Sequence, residues 1–319
     1  MKRIYLTAGS RHIKTVFGSE ERVYSKADVL ANPAAFAETE YVFSSWGMPA
    51  FDEEEIRKYL PKLKAIFYGA GSVQNFARPF LNCGVKVFSA WAANAIPVAE
   101  YTVAQIILAN KGFFRSMHFT DYVTVQNSVR SNYRGNYGAK IGLIGIGMIG
   151  ALVAQMLHNY HLEVLAFDPF LSDERAKELG VKKVSLETLF SECQVISNHL
   201  ANNAQTVGML NGALFEKMPP YATFLNTGRG AQVVEEELLQ VLKTRTDLTA
   251  VLDVAVKEPP EEGSPIYTLE NCILTPHIAG SFGDELRRMG AYMENEYKNF
   301  VNGEPCKYEV TLEMLKTMA

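Results

Sequence analysis

Short apolar runs recur along the chain, separated by stretches whose apolar residues fall at helical spacing. Residues 4–7, 41–44, 65–68 and 86–89 read as strands, and residues 52–63 are one of the helical segments between them. Such alternation predicts βαβ crossovers and a parallel sheet. Residues 98–119 carry apolar positions at helical spacing without a proline, which predicts one long helix leaving the first unit at a domain boundary. A second series begins at Lys140, with strands expected at 141–144, 164–167, 195–198, 223–225, 249–254 and 272–275. Six strands in this arrangement suit a doubly wound sheet. Over residues 284–301, Leu286, Met289, Met293, Tyr297 and Phe300 share one helical face, predicted to carry the chain back to the first unit. The expected boundaries are 1–98 and 285–319 for a discontinuous domain and 99–284 for a domain inserted into it.

Length and charge narrow the class of function. At 319 residues the chain suits two domains with a ligand cleft between them. The net charge of -4, with acids and bases interspersed, leaves no footprint for nucleic acid or anionic lipid. The apolar stretch after Met1-Lys2-Arg3 stops by Ala8-Gly9-Ser10, too short for a secretory segment, and no later run is read as approaching bilayer length, so a cytoplasmic protein is expected. Cys83, Cys193, Cys272 and Cys306 lack metal or redox spacing and read as reduced thiols. His158 and His161 sit three apart, but no third ligand follows, so no metal site is expected and a helix-end role is preferred.

Candidate chemistry starts where the strand 141–144 runs into Gly145-Ile146-Gly147-Met148-Ile149-Gly150 and then a helical pattern. Gly145 permits the tight turn, Gly147 lets a pyrophosphate approach the backbone, Gly150 lets helix and strand pack, and the amides of Met148 and Ile149 point at the phosphates. A structural glycine turn is the plainer reading. It loses ground because the next strand ends at Asp168, 23 residues after Gly145, where a carboxylate would accept hydrogen bonds from an adenosine ribose and repel a 2'-phosphate. Both domains are therefore expected to be Rossmann-like, and NAD is the cofactor.

Three further residues stand at predicted strand ends: Arg229 in Asn226-Thr227-Gly228-Arg229-Gly230, Glu258 before Pro259-Pro260, and His277 in Thr275-Pro276-His277. Each alone reads as an ordinary loop residue. Together on a nucleotide-binding sheet they match the needs of 2-oxo acid reduction: a cation for the carboxylate and carbonyl, a proton donor for the alkoxide, and a carboxylate favouring the imidazolium.

The chain resembles the D-isomer-specific 2-hydroxyacid dehydrogenases over nearly its full length. The resemblance rests on Asn94-Ala95 through Val98-Ala99-Glu100, the glycine turn with Asp168, the Asn226–Gly230 segment with Val233-Val234-Glu235-Glu236, Leu252-Asp253-Val254, and Thr275-Pro276-His277. It implies Arg229, Glu258 and His277 as the catalytic trio. It also implies Asp253 and the Thr227 carbonyl near the nicotinamide carboxamide, Ala70-Gly71 amides near the substrate carboxylate, and a homodimer formed through the NAD-binding domains.

Two departures bear on substrate choice. Where many members carry an arginine after the second strand, this chain has Ser44-Ser45-Trp46-Gly47, which weakens the case for a phosphorylated substrate. Where a His-x-Pro-Leu-Thr run is common it has His199-Leu200-Ala201-Asn202-Asn203, and His199 reads as a structural residue near the cofactor. Trp46, Trp91 and Tyr68 are candidates for lining the substrate pocket, with core packing the alternative for each. An alternative of another class is an NAD-sensing, protein-binding regulator, which has less need of the trio. A short-chain dehydrogenase is disfavoured, because no tyrosine is followed four positions later by lysine.

Overall fold

Apolar runs become strands with little displacement from their expected places. The computed structural model describes residues 2–117, 121–316 and 318. Its strands are β1 Arg3–Leu6, β2 Val23–Tyr24, β3 Tyr41–Ser44, β4 Ala65–Tyr68, β5 Lys86–Ser89, β6 Lys140–Ile144, β7 Glu163–Phe167, β8 Lys182–Lys183, β9 Val195–Asn198, β10 Thr223–Asn226, β11 Thr249–Leu252, β12 Cys272–Leu274 and β13 Glu309–Val310. Contacts divide the chain into one unit of Met1–Asn94 with Ser281–Ala319 and another of Ala95–Gly280, each join lying four residues before the expected position.

The first unit holds a sheet ordered β13-β5-β4-β3-β1-β2, parallel except for β13, which runs antiparallel to β5. Leaving out that edge, the order reverses between β1 and β3, the flavodoxin-like winding. The helix Glu285–Asn302 packs on this sheet, with Met289 and Met293 fully buried and Leu286, Tyr297 and Phe300 against the same core. Burying each methionine contributes roughly 1.5–3 kcal/mol. The Tyr297 ring meets Phe43 and Phe67 at 5.3 and 5.4 Å. Tyr68 belongs to this core, 6% exposed, and Trp91 packs against it beside Tyr308, so both serve packing.

The second unit holds the order β12-β11-β10-β9-β6-β7-β8, parallel throughout, with its reversal between β6 and β9. Ligands bind beyond the strand carboxyl ends at such a reversal. The fold is thus α/β with two doubly wound parallel sheets, the second unit inserted into the first.

The helix predicted over 98–119 differs in place. It spans Trp91–Asn110 with Pro97 inside it, and Phe119 lies outside the described residues. An interior proline costs about 3 kcal/mol. Burial of Ala93, Ala95, Val98, Ala99, Val103 and Ile106 offsets that cost. Gly112, with φ of 68°, ends the run before the short helix Phe113–Ser116. This 20-residue helix, with a mean hydropathy of 1.2, has the length and composition to cross a bilayer, contrary to the reading that no run approaches it, and half of it is buried inside the protein.

Candidate active site

After β6 the chain turns through Gly145 into the helix Met148–Leu157. Gly145 has φ of 85°, and a Cβ there would lie 2.9 Å from the backbone of His199 and Leu200, which follow β9. A Cβ on Gly150 would meet the Gly145 carbonyl oxygen at 2.0 Å, so only glycine lets helix and turn approach this closely. At Gly147, by contrast, a Cβ would meet nothing within 4 Å. That open space lies before the first-turn amides of Met148 and Ile149, which donate to no acceptor among the described residues and leave a helix end able to hold an anion.

Asp168 follows β7, and its Oδ2 accepts from Ile146 N at 2.7 Å while Oδ1 accepts from Phe170 N at 2.8 Å. The carboxylate thus stands against the glycine turn with lone pairs left for ribose hydroxyls. Open cradle, unpaired amides and adjacent acid together fit a dinucleotide, and bound NAD would supply or accept the hydride.

Beyond β10, buried amides shape the loop that carries Arg229. Asn198 Nδ2 donates to Asn226 Oδ1 at 3.0 Å and to Gln232 Oε1 at 2.6 Å; Gln232 Oε1 also accepts from Arg229 N at 3.2 Å, and Gln232 Nε2 donates to Leu200 O at 2.6 Å. Asn198, Asn226 and Gln232 are at most 1% exposed. Among the described residues the Arg229 side chain donates once, from Nη1 to Gly228 O at 2.8 Å, which leaves its other donors free for a ligand. Burial lowers its pKa, and the nearby Glu258 charge opposes that shift. A Cβ on Gly230 would fall 2.0 Å from the Ala255 carbonyl, so the second glycine of the motif lets this loop pass the one after β11.

Glu258 and His277 meet: His277 Nδ1 and Glu258 Oε2 are 2.7 Å apart, with side chains 48% and 41% exposed. Val256 N donates to Glu235 Oε2 at 2.9 Å and Ala255 N to Glu258 Oε1 at 3.3 Å, fixing the segment that carries the glutamate. The histidine sits at φ of 54°, a left-handed backbone uncommon for a side-chain residue, and its N–H donates to Asp253 O at 3.0 Å. Asp253, 3% exposed, accepts from Thr275 Oγ1 at 2.6 Å, Ile278 N at 2.9 Å and Ala279 N at 2.8 Å. Most of its accepting capacity goes to the loop bearing His277. The Thr227 carbonyl accepts no donor among the described residues, and its hydroxyl meets Thr102 Oγ1 at 3.2 Å.

His199 packs its ring inside, with Nε2 3.0 Å from Ser197 Oγ, and burial pushes its pKa down to about 4. It is a neutral structural histidine. His158 Nε2 meets Leu179 O at 2.8 Å, a helix-end role. All four cysteines are free thiols, and burial pushes Cys193 and Cys272 up to about 12.

In the first unit Ala70 is fully buried and its carbonyl accepts from Ser89 Oγ at 2.9 Å and Ala90 N at 3.1 Å. The more exposed amides of Gly71 and Ser72 donate to no acceptor among the described residues. Asn94 joins them: its Oδ1 accepts from Ser281 N at 2.9 Å, and its Nδ2 lies 3.7 Å from where a Gly71 Cβ would sit. Sequence reading noted Asn94 as a motif residue only; its place beside unpaired amides needed the fold.

Comparison with known proteins follows the same lines. Residues 104–279 match the family described as D-isomer specific 2-hydroxyacid dehydrogenase, NAD binding domain. D-3-phosphoglycerate dehydrogenase of Archaeoglobus fulgidus is 32% identical over 236 residues, 73% of this chain and 44% of that protein. The chain spans about half the length of the curated relatives it matches. Holo D-mandelate dehydrogenase from Rhodotorula graminis superposes with a TM-score of 0.78 at 19% identity, covering 97% of both chains. Apo D-lactate dehydrogenase from Escherichia coli gives 0.70 at 23% identity, covering 97% of this chain and 100% of the other. The structural likenesses speak for the fold, and the sequence match for ancestry: the chain belongs to the D-isomer specific 2-hydroxyacid dehydrogenase family, with residues 104–279 as its NAD-binding domain.

Proposed function

We propose that the chain interconverts a small 2-oxo acid and the corresponding 2-hydroxy acid using NAD(H). The observation that carries this reading is the Glu258–His277 pair, held at the same sheet end as the glycine turn and the Arg229 loop. In the reducing direction bound NADH would supply a hydride to the carbonyl carbon, and the proton that goes to the carbonyl oxygen comes from His277, which would give the hydroxy acid and NAD. Glu258 holds Nδ1 and so leaves Nε2 to face the substrate. The free donors of Arg229 bind the carboxylate and polarise the carbonyl. Gly145, Gly147, Met148, Ile149 and Gly150 take the pyrophosphate and Asp168 the ribose. The Thr227 carbonyl, with the remaining lone pair of Asp253, takes the carboxamide. In the first unit, Ala70-Gly71 serves the substrate carboxylate through the Gly71 amide, with Ala70 shaping the loop.

A cofactor sensor has no use for an assembled acid–base pair, so the enzymatic reading stands ahead of the regulator. The reading also takes the protein as cytoplasmic and as a homodimer through the NAD-binding unit. Support for the dimer comes from the helix Tyr122–Asn132, which buries no residue and leaves Val123 61% exposed.

The test is His277→Ala assayed with NADH against a panel of 2-oxo acids. Turnover on the best acid should fall about 10²–10⁴-fold, with NADH binding retained. Near-normal turnover would remove His277 from proton transfer.

A further inference from the structure

The first unit presents an aromatic side chain for which the proposed chemistry has no use. Resting on the reading above, we infer that Trp46 forms the subsite for the substrate's side chain, and that the substrate is a 2-oxo acid bearing an uncharged aromatic or bulky apolar group.

Trp46 stands where a ligand crevice is expected. The order of the first sheet reverses between β1 and β3, and Trp46 follows β3 directly across from Thr7-Ala8, which follow β1. The turn is built to hold its position. Thr7 Oγ1 donates to Trp46 O at 2.7 Å, Ala8 N to Gly47 O at 2.9 Å, Met48 N to Ser45 O at 3.1 Å, and Ser45 Oγ to Gly69 O at 3.2 Å. Gly47 has φ of 87°, and a Cβ on it would press on Thr7 Oγ1 at 3.0 Å, so the close approach of the two loops depends on glycine. Despite this anchoring the indole remains 37% exposed, with the exposed His12 ring 5.6 Å away as its ring contact among the described residues. An uncovered indole on a fixed backbone offers a flat apolar wall with two side-chain torsions to order.

The adjacent strand end supplies the other half of the recognition. Ser44 of β3 pairs with Tyr68 of β4, so the Trp46 turn and the Gly71-Ser72 loop leave neighbouring strands just past one shared rung. The unpaired amides of Gly71 and Ser72, with Asn94 Nδ2, suit a carboxylate. No Lys or Arg occurs in residues 7–9, 44–48 or 69–76, so these loops hold nothing to neutralise a phosphate. An acid head beside amides and a flat side chain against indole describe one molecule.

Steady-state kinetics with NADH on phenylpyruvate, pyruvate and 3-phosphohydroxypyruvate test this. Wild type should favour phenylpyruvate, and Trp46→Ala should lower kcat/KM for it about tenfold or more, with a much smaller fall on pyruvate; Trp46→Phe should recover most of the loss. Calorimetric binding of phenyllactate to the NAD-loaded protein should weaken in parallel. Preference for the phosphorylated acid, or an equal loss on all three acids with unchanged phenyllactate binding, overturns the inference. If no acid oxidises NADH the dehydrogenase reading falls, and the phenyllactate titration still decides Trp46 by whether Trp46→Ala weakens it.

Discussion

Replacing Gln232 by leucine tests the buried amide lattice that carries Arg229. The substitution keeps the volume and removes an amide whose oxygen accepts from Asn198 Nδ2 and Arg229 N and whose nitrogen donates to Leu200 O. Asn198 retains Asn226 Oδ1, whereas Arg229 N and Leu200 O lose the one partner each has among the described residues. An unsatisfied buried group costs about 1–3 kcal/mol. Arg229 and Leu200 are half-buried and recruit some water, so the sum comes to about 3 kcal/mol for the two groups together. For a unit of this size, that lowers the melting temperature by roughly 6–12 °C. Calorimetry of the variant reads the shift directly, and kinetics on the best 2-oxo acid should show KM rising more than kcat falls, because Arg229 loses its backbone anchor while the Glu258–His277 pair stays intact. A shift below about 2 °C with unchanged KM would show that the lattice positions nothing.

Two further outcomes follow from the same geometry. Gly147→Ala should melt within about 2 °C of wild type because its Cβ enters open space, yet weaken NADH at least about tenfold by filling the pyrophosphate cradle, as fluorescence titration would read; undiminished NADH affinity would refute the cradle. His199 holds a folded pKa near 4 against about 6.5 when unfolded, so the unfolded chain binds the proton first. Stability is therefore full above pH 6.5 and declines as pH falls towards 4, by about 3 kcal/mol. Urea melts across that range should show this acid limb shrinking in His199→Phe; an unchanged limb would count against it.

Much of this was legible beforehand because burial leaves a pattern. The strands at 41–44 and 65–68 are almost wholly apolar, and those at 86–89 and 195–198 each hold an apolar pair, as strands of parallel sheets covered on both faces do. The glycine turn and Asp168 declared themselves through spacing. What escaped had no pattern to leave. The helix Tyr122–Asn132 buries nothing and so shows no apolar face, and β13 is two residues long. Pro97 hid a helix that starts six residues before it, because tertiary burial outweighed a local cost. Gln232 and Asn94 look like ordinary amides until the fold supplies partners. Asp253 was legible as important, but its main partners, the amides of Ile278 and Ala279, follow from a loop path that spacing does not describe.

The Asp253 clamp also bears on how this site could be altered. Three hydrogen bonds accepted by one buried carboxylate, with the His277 amide donating to the Asp253 carbonyl, make residues 275–279 an extension of the sheet. The imidazole hangs from a fixed frame while its ring stays in contact with solvent. Chemistry at position 277 can therefore be exchanged, a different acid or base installed, without rebuilding the backbone beneath it. The residue that tolerates no such exchange is the buried one behind it, whose carboxylate holds the loop in place.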